Sequence, residues 1–325
     1  MIQNTLANKK ILVTGGYGFI GSHLISRLYK ECEVAVFTRK TSNPWRLRNA
    51  LSQIYQFTGD ISNYSDIENA IKQFQPHVIF HFAAYGVNSR NDNYLDAIRT
   101  NIEGTANLIF SAQYSKNLEK IINLGSSSEY GETDEAIHEE MMLKPIDVYG
   151  STKASATLIA HQLTTQLGIN IITFRPFNLF GESEESHKLF SYVIQQILQN
   201  KEVLLTPCDQ LRDYCYIQNI IDAFILAVVN PETKNEIFNI GSGQVYPIKY
   251  FVDTIFSHMN TNLQPQYGAL KYRENERMTP QPNISKVKNL LGWQPNISLE
   301  EGILRTINWY RQNEYGIGGG LINDH

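Results

Sequence analysis

Cysteine is scarce in this sequence, and no long apolar run interrupts it. The 325 residues include three cysteines, Cys32, Cys208 and Cys215, which are too few for a disulfide scaffold and lack paired metal-ligand spacing. We therefore expect reduced thiols and no metal site. No stretch approaches the roughly 18 consecutive apolar residues of a membrane span, and no long apolar segment precedes the first predicted strand. These features predict a cytoplasmic protein with neither a membrane span nor a secretory leader.

Charge of neither sign dominates the chain. Lys and Arg number 28 against 32 Asp and Glu, for a net charge of -4, and no basic run could follow a phosphate backbone. Nucleic acid is therefore not an expected partner. The hydrophobic content of 42% and the charged content of 18% are ordinary for a globular protein, and the length suffices for a large core.

The first half of the chain alternates short apolar runs with amphipathic stretches. Between the first two runs, Ile20, Leu24 and Leu28 share one helical face. This alternation predicts an α/β fold with a parallel sheet covered by helices on both faces. Such a sheet binds ligands beyond the carboxyl ends of its strands. The runs predicted as buried strands are residues 10–15, 33–38, 54–60, 77–84, 120–126 and 170–176.

A glycine loop, TGGYGFIG, joins the first predicted strand to the first helix. Gly15 permits the tight turn, Gly18 lets the backbone approach a pyrophosphate, and Gly21 lets helix and strand pack closely. A diphosphate would lie at the positive end of the helix dipole. In this position the loop predicts dinucleotide binding rather than a merely structural turn, and hence a Rossmann-type, doubly wound sheet. The loop residues expected to contact the cofactor are Gly15, Tyr17, Gly18, Phe19, Ile20 and Gly21.

The end of the second strand bears on the choice between NAD and NADP. An acid ~20 residues after the glycine loop would bind the 2′-hydroxyl of the adenosine ribose. This chain instead has Thr38, Arg39 and Lys40 there, and no acid before Asp60. Because a guanidinium pairs well with a phosphate, the sequence favours NADP, and NAD is the alternative cofactor. Arg39 and Lys40 could instead be solvated charges on a loop, without a role in cofactor binding. Asp60 either binds the adenine amine or caps a turn.

The rhythm of the chain changes after about residue 179. A loop and a helix come first, a short strand and another helix follow from residue 212, and residues 236–243 resemble one more strand of the main sheet. We predict a dinucleotide-binding Rossmann domain made of 8–178 and 215–245. A smaller, partly interleaved C-terminal lobe of 179–214 and 246–313 would bind the substrate. The glycine-rich residues 314–325 are predicted to form a flexible tail.

Tyr149 and Lys153 are four residues apart at the start of a predicted helix, DVYGSTKAS. That spacing places both side chains on one helix face, ~6 Å apart at Cβ. A free phenol, with a pKa of ~10, exchanges protons poorly at neutral pH. The ammonium of Lys153, together with an oxidised nicotinamide ring, would favour the phenolate and lower the pKa of Tyr149. A hydroxyl in GSSSEYG, at the end of the fifth strand, would hydrogen-bond the reacting oxygen.

Together these motifs resemble those of the extended short-chain dehydrogenase/reductase family, the nucleotide-sugar epimerases, dehydratases and reductases. TGGYGFIGSHL, GDI, HFAA, NIEGTANLI, GSSSEYG, YGSTKAS, RPFNLFG and RDYCYI occur in the order of that family, over roughly residues 10–310. The resemblance implies a nucleoside-diphosphate sugar as the substrate, a homodimer, and a catalytic trio of Ser126, Tyr149 and Lys153. In that trio Tyr149 and Lys153 also contact the cofactor, Lys153 through the nicotinamide ribose. Further cofactor contacts fall in GDI, HFAA and NIEG, at Ile61, Phe82, Ala83, Ala84 and Asn101.

Ser127 and Ser128 stand where family members that dehydrate hexoses carry acid–base residues. Removing water across C5–C6 needs a base and an acid, and serine substitutes poorly for either. Glu129 comes one step later, and in an extended segment it would face the opposite way. We therefore disfavour a 4,6-dehydratase and assign Ser127 and Ser128 to substrate binding.

The segment RKTSNPWRL resembles the corresponding part of reductases that act on CDP-linked 4-keto-6-deoxyhexoses. A reductase exchanges its cofactor at every turnover, which fits NADP, whereas a 4-epimerase retains NAD because the hydride returns to the same substrate. The prediction is NADP-dependent reduction of the 4-keto group of a nucleotide-linked 4-keto-6-deoxyhexose. A C4-epimerase is the alternative within the family. A non-catalytic dinucleotide sensor is the alternative of another class, and it would leave the trio unexplained.

The resemblance also implies residues that approach the substrate phosphates. These are Asn178 in RPFNLFG and Arg212 in RDYCYI, although Arg212 could instead form a surface ion pair with Asp213. Arg273 and Arg277 are further candidates for the diphosphate.

Residues in and after the fourth strand include candidates for contact with the sugar as well as residues expected to be structural. Tyr85 and Asn88 could face the sugar, while His81 lies inside an apolar run and is expected to be a satisfied core histidine. Phe177 and Phe180, on either side of the RPFNLFG asparagine, are expected to pack rather than to stack on a base.

Overall fold

The computed structural model describes residues 6–86, 93–133, 135–272, 278 and 282–317. The strands in this part of the chain are β1 (Lys10–Thr14), β2 (Glu33–Thr38), β3 (Tyr55–Thr58), β4 (Val78–His81), β5 (Lys120–Leu124), β6 (Ile171–Pro176), β7 (Asn178–Phe180), β8 (Val203–Leu204), β9 (Leu211–Arg212), β10 (Tyr214–Tyr216), β11 (Glu236–Ile240), β12 (Tyr246–Pro247) and β13 (Pro265–Gln266). The helices are α1 (Phe19–Leu28), α2 (Tyr64–Phe74), α3 (Tyr94–Ala97), α4 (Gly104–Ala112), α5 (Val148–Leu167), α6 (Leu189–Leu198), α7 (Ile217–Val229), α8 (Ile248–Met259) and α9 (Leu299–Ile317).

A parallel sheet forms the centre of the molecule. Among the described residues it has seven strands, in the order β11-β6-β5-β4-β1-β2-β3, and every neighbouring pair is parallel. The predicted strands all lie in this sheet, so the α/β prediction is confirmed. At their carboxyl ends β1, β3, β4 and β5 are shorter than predicted, because the chain leaves the sheet there as loops, whereas β2 and β6 end at the predicted residues.

Alternate residues of β1 face two separate apolar cores. Ile11 and Val13 belong to one core together with side chains of α1 and α7, whereas Leu12 belongs to the other core with side chains of α2, α4 and α5. All three are fully buried. A parallel strand with helices on both sides buries both of its faces, which explains why the sequence of β1 is continuously apolar. The sheet is therefore doubly wound, as predicted.

The segments predicted to form a second lobe contain helices and short two-stranded ladders. Within the described residues, the segments 179–214 and 246–313 contribute no strand to the central sheet, and they pair instead as β8 with β13 and β9 with β12. Phe180 stacks on Phe190 of α6 with ring centroids 4.2 Å apart. The last helix continues to Ile317, so residues 314–317, which were predicted as tail, are helical, and residues 318–325 lie outside the described residues.

Two expectations about composition can be compared with the fold. Cys32, Cys208 and Cys215 are all buried, and no disulfide joins them. In the part of the chain that the structure describes, no helix combines the length and the apolar character that crossing a bilayer requires.

Glu184 is a buried carboxyl group between α6 and α9. Its backbone oxygen accepts hydrogen bonds from Tyr310 and Ser191, while its Oε2 has no hydrogen-bond partner among the described residues. Burial raises the pKa of Glu184 well above its ordinary value, and the neighbouring carboxylate of Glu185 adds to this rise. A carboxyl group in this environment favours the protonated form.

Replacing this group by a neutral one should stabilise the protein as pH rises. Because the pKa of Glu184 is raised on folding, its favourable contribution is complete below the unfolded pKa and is lost as pH rises through the folded pKa. We expect Glu184→Gln to unfold at higher urea concentrations than wild type, with a difference that grows from about pH 5 to about pH 8. The gain is about 1.4 kcal/mol for each unit by which folding raises the pKa. Glu202→Gln, at an exposed position, is the control. A difference that stays constant or shrinks with pH contradicts the expectation.

Candidate active site

The predicted cofactor residues converge at the carboxyl edge of the sheet. The loops that follow β1, β2, β3 and β4 line a cavity of about 350 Å³. Because parallel strands end at the same edge, residues that are distant in sequence meet there. The predicted residues that line the cavity are Gly15, Tyr17, Gly18, Thr38, Arg39, Asp60, Ile61, Phe82, Ala83 and Ala84.

The glycine loop makes backbone approaches that a side chain would block. Gly15 has a φ of +69°, and a Cβ there would lie 2.7 Å from the backbone nitrogen of Ala83. A Cβ on Gly21 would lie 2.5 Å from the carbonyl oxygen of Gly15. Gly18 immediately precedes α1 without a side-chain cap and lines the cavity, so the positive end of this helix is close to it. Phe19 and Ile20 contribute side chains that pack against the core. This bare backbone fits a dinucleotide diphosphate.

Asp60 caps a turn, which is one of the two roles considered for it, and it also lines the cavity. Its carboxylate lines the cavity and also accepts hydrogen bonds from the backbone N–H and the hydroxyl of Ser62, at 2.9 and 2.7 Å. Although partial burial opposes the shift, the bonds from Ser62 and the charge of Arg39 lower the pKa of Asp60. Arg39 follows β2, is exposed, and lines the cavity together with Asp60.

The loop after β2 contributes cavity residues that the sequence analysis did not assign, including Ser42 and Asn43. Trp45 also lines the cavity, and the guanidinium of Arg46 lies 4.5 Å from the centre of its ring. Arg46 donates to the carbonyl oxygens of Tyr17 and Ser183, and it forms an ion pair with Glu185 at 3.2 Å. A second arginine seven residues after Arg39 was the signal in the sequence. Arg46 therefore connects this loop to the residues around it, whereas the side chain of Arg39 is exposed.

The predicted catalytic trio assembles at the carboxyl end of β5, and none of its three residues is among those that line the cavity. Ser126 follows this strand and is buried, and its Oγ accepts a hydrogen bond from the backbone N–H of Ser128 at 3.1 Å. Tyr149, in the first turn of α5, is hydrogen-bonded to Ser126. Lys153, one turn later, donates to the carbonyl oxygen of Leu124. The structure therefore brings together the side chains that the sequence grouped by motif.

The prediction that Lys153 lowers the pKa of Tyr149 is wrong for the polypeptide by itself. Burial raises the pKa of Tyr149 to about 12, the hydrogen bond from Ser126 opposes this rise, and the carboxylates of Glu129 and Asp147 add to it. Burial also lowers the pKa of Lys153 to about 8, against the effect of Glu129. Desolvation is thus the largest effect on both groups, and Lys153 is not among the causes of the shift at Tyr149. At neutral pH Tyr149 carries its proton and is a proton donor.

The segment after Ser126 is a turn and not an extended strand, which corrects the sequence analysis. Residues 127–129 form a short 3₁₀ helix that Ser126 caps, with Ser127 and Ser128 half-buried. Glu129 is 0% exposed and forms an ion pair with Arg175 of β6 at 2.8 Å. The expectation that Glu129 points away from the cleft holds, but the cause is this turn and not strand alternation.

Asn101 occupies a bracing position. It is buried, accepts a hydrogen bond from the backbone N–H of Tyr85 at 2.7 Å and donates to the hydroxyl of Thr152 at 2.9 Å. The structure does not place Asn101 among the residues that line the cavity. Asn101 connects the loop after β4 to α5, which carries the catalytic tyrosine and lysine, and Tyr85 lies half-buried in that loop.

The predicted phosphate-binding residues lie on short strands beside the main sheet. Asn178 of β7 donates through its amide to the carbonyl oxygen of Asp213, at 3.1 Å. Arg212 of β9 donates to the carbonyl oxygen of Leu211. The carboxylate of Asp213 is buried and accepts from the backbone N–H groups of residues 242 and 243, at 2.7 and 2.6 Å. The remaining candidates, Asn88, Arg273 and Arg277, lie outside the described residues.

Residues expected to be structural are structural. The ring nitrogens of His81 lie 2.8 Å from the hydroxyl of Thr14 and 2.9 Å from that of Thr105. Burial lowers the pKa of His81 to about 3, so the ring is neutral. Phe177 and Phe180 are buried in the apolar cores.

Comparison with known proteins agrees with this geometry. An uncharacterized protein of Methanocaldococcus jannaschii is 30% identical over 321 residues, which cover 94% of this chain and 97% of that protein. The crystal structure of UDP-glucuronic acid 4-epimerase from Bacillus cereus, in complex with UDP-glucuronic acid and NAD, is 27% identical with a TM-score of 0.83, covering 93% of this chain and 99% of the other. dTDP-glucose 4,6-dehydratase from Bacillus anthracis, in complex with NAD, is 25% identical with a TM-score of 0.83, covering 94% and 98% of the two chains.

The family assignment rests on a match over most of the chain. Residues 11–241 match the model of the NAD dependent epimerase/dehydratase family, a range that contains the glycine loop, Ser126, Tyr149 and Lys153. Members of this family are enzymes that depend on a nicotinamide dinucleotide and act on nucleotide sugars. The chain therefore belongs to the NAD-dependent epimerase/dehydratase family of the extended short-chain dehydrogenases/reductases.

Proposed function

We propose that this protein is an NADP-dependent oxidoreductase that reduces the 4-keto group of a nucleoside-diphosphate-linked 4-keto-6-deoxyhexose. The observation that carries the proposal is the state of Tyr149, which holds its proton at neutral pH and is hydrogen-bonded to Ser126, the residue that follows β5 at the carboxyl edge of the sheet. A protonated phenol is the group that an alkoxide needs as a proton source.

Reduction requires a hydride and a proton, delivered to the two ends of one carbonyl group. The dinucleotide, when bound, supplies the hydride to the carbonyl carbon. Tyr149 donates its phenolic proton to the carbonyl oxygen, and the hydroxyl of Ser126 donates a hydrogen bond to the same oxygen. The ammonium of Lys153 stabilises the phenolate that remains until water returns the proton. One hydride and one proton convert the ketone to the alcohol.

The adenosine end of the cavity supports NADP. Arg39 lines this cavity at the end of β2. In a site for NAD, an acidic residue at this position would bind the 2′-hydroxyl of the adenosine ribose. A guanidinium is suited to the additional phosphate of NADP. Thr38 and Lys40 flank Arg39 in the sequence.

The turn at residues 127–129 supports reduction over dehydration. The only acid of this turn, Glu129, is fully buried against Arg175, so it has no access to a sugar in the cleft. Ser127 and Ser128 are proposed to contact the sugar through hydroxyl groups, which neither abstract the C5 proton nor protonate the leaving hydroxyl efficiently. Tyr85, Asn178 and Arg212 are also proposed to bind the substrate. The diphosphate would lie near Asn178 of β7 and Arg212 of β9.

A C4-epimerase is the second candidate, because a solved relative with 27% identity is an epimerase crystallised with NAD. The same trio would serve it, with Tyr149 first removing a proton and then returning it. The purified protein discriminates the two. Stoichiometric oxidation of added NADPH by a nucleotide-linked 4-keto-6-deoxyhexose supports the reductase. Interconversion of C4 epimers by a tightly retained cofactor, with no net oxidation, supports the epimerase and overturns the reductase.

The exposed apolar side chains around α4 and α5 support a homodimer in solution. These helices pack against each other on one side of the sheet, and their outer surfaces carry large apolar groups. Burying such groups against a second copy removes them from water. The side chains concerned are Tyr94, Leu95, Ile98, Phe110 and Leu158.

A charge in this surface should dissociate the dimer. Leu158 of α5 is 61% exposed, and Leu158→Glu should give a monomer when molar mass is measured by light scattering after gel filtration. Leu290→Glu, at another position that is 53% exposed, is the control and should leave the mass unchanged. A wild-type monomer, or equal behaviour of both variants, argues against this interface.

Removing the phenolic hydroxyl should abolish the chemistry and preserve cofactor binding. We expect Tyr149→Phe to lower kcat about 10²- to 10⁴-fold, because general acid catalysis is lost. The dissociation constant for NADPH, followed by its fluorescence, should change by less than about threefold, well below the cost of one hydrogen bond to a charged group. Tyr55→Phe, at an exposed position, should behave as wild type. Unchanged turnover in Tyr149→Phe would end the proposal.

Arg39→Ala should change the preference between the two cofactors. The loss of a charge-assisted bond to the 2′-phosphate is worth about 1.5–3 kcal/mol, which corresponds to roughly a 10- to 100-fold rise in KM for NADPH. KM for NADH should be unaffected. Lys40→Ala, the adjacent cation, is the matched control and should have the smaller effect. Equal changes for NADPH and NADH would refute the assignment of NADP.

A further inference from the structure

We propose that Glu129 is a positioning residue: its buried carboxylate, held by Arg175, fixes the backbone of Ser126 and places a negative charge near Tyr149 and Lys153. This role rests on the proposed reduction, since it concerns how Ser126, Tyr149 and Lys153 are held for that reaction by a residue that does not touch the substrate. The residue was excluded above as a general base, and the structure gives it hydrogen bonds to both sides of the catalytic turn.

The carboxylate of Glu129 joins three elements. One oxygen, Oε1, accepts from the backbone N–H of Ser126 at 2.8 Å and from the hydroxyl of Thr157 on α5 at 3.0 Å. The other oxygen accepts from Nε of Arg175 on β6 at 2.8 Å. A Cβ at Gly125 would lie 2.6 Å from Oε1, so the chain passes closely over the carboxylate just before the catalytic serine. The position of Ser126 is thus defined by the side chain of Glu129.

A second set of contacts holds the clamp in place. Arg175 donates through Nη1 to the hydroxyl of Tyr130 at 2.8 Å, and Tyr130 donates to the amide oxygen of Asn239 on β11 at 2.7 Å. Asn239 in turn donates to the carbonyl oxygen of Ile137 at 3.0 Å. The guanidinium of Arg175 therefore has directed partners on both of its ends. A buried ion pair of this kind is retained at a cost in desolvation, and well-packed apolar residues often stabilise a fold as well or better.

The charge of Glu129 acts on the groups above it. Burial lowers the pKa of Lys153 to about 8, and the carboxylate of Glu129 limits this fall. The same carboxylate raises the pKa of Tyr149. Without this charge the lysine would lose its proton more easily, and the tyrosine would be a stronger acid that is deprotonated at lower pH. Charge and geometry therefore act in the same direction.

The other charged and titratable groups around the pair come from each neighbouring element. Asp147 at the start of α5 also raises the pKa of Tyr149, and His81 of β4 feels the charge of Lys153 but is neutral because it is buried. Arg175 acts on Glu129 and Tyr130 directly, and it is not among the causes of the shifts at Tyr149 or Lys153. The groups that face Glu129 itself are Arg175, Lys153, Tyr149 and Tyr130.

Two variants separate position from charge. Glu129→Gln keeps the shape of the side chain and removes the charge, but it leaves Arg175 buried without its counter-ion. Glu129→Gln combined with Arg175→Met removes both charges and should recover most of the lost folding stability, since no unpaired buried charge remains. Glu139→Gln is the matched control, because this half-buried carboxylate bonds to Asn239 in the same network but is not among the causes of the pKa shifts at Tyr149 and Lys153.

The first measurement is the pH dependence of kcat for NADPH-dependent reduction. In both the single and the double variant, the fall of activity at alkaline pH should move to lower pH by about 1–3 units, the usual effect of losing an opposite charge within ~4–6 Å. The control should keep the wild-type profile. Variants that lose stability but keep the wild-type profile would overturn the proposal, as would a double variant in which stability and profile return together.

The second measurement does not depend on activity. Lysine labelled with carbon-13 at Cε reports the titration of Lys153 by NMR, and its resonance is assigned by its loss in Lys153→Met. The midpoint for Lys153 should fall in both Glu129 variants and stay unchanged in Glu139→Gln. If wild type reduces no 4-ketosugar, the proposed reaction fails while this titration still decides the role of Glu129. An unchanged midpoint overturns the positioning role even if the enzyme is active.

Discussion

A row of hydrogen-bonded polar side chains crosses the sheet directly below the active site, and the arrangement of that site depends on it. In the strand register Thr14 lies opposite His81, His81 opposite Asn123, and Asn123 opposite Thr173. The side chains bond as Thr14 to His81 at 2.8 Å and Asn123 to Thr173 at 3.1 Å, and His161 of α5 reaches Thr173 at 2.9 Å. A slip of one residue would leave these buried groups without partners, which is costly, so the strands end level. Level strand ends bring the glycine loop, the loop after β4 and Ser126 to one edge.

The sequence was sufficient for features that depend on local pattern. Buried parallel strands produce continuous apolar runs, so the strands of the sheet could be located, and the spacing of Tyr149 and Lys153 placed both on one helix face. The turn after Ser126 was also legible, since a serine followed three residues later by glutamate is the signature of a capping box, yet the segment was interpreted as extended. The apolar run that precedes it made continuation of the strand the natural assumption.

Other features could not be read from the sequence because they depend on tertiary surroundings. The pKa of Tyr149 is raised mainly by burial, and neither this burial nor the direction of the Lys153 ammonium is encoded in the spacing. Trp45 and Arg46 lie in a 3₁₀ helix of three residues, which is too short for a sequence period to indicate where their side chains point. Arg46 bonds to Ser183 and Glu185, which are distant in sequence and belong to the segment predicted as the second lobe. The loop that lines the cofactor cavity is therefore connected to the lobe that is proposed to hold the sugar.

The rings in the row under the active site have a consequence for how this enzyme senses acidity. Burial lowers the pKa of His81 to about 3 and that of His161 to about 4, so both imidazoles are uncharged throughout the physiological range. Neither His81 nor His161 changes its charge between about pH 5 and pH 8, so these two rings contribute nothing to the pH dependence of the protein in that range. Within the active site, a response to pH arises instead from the layer that contains Tyr149, Lys153 and Glu129.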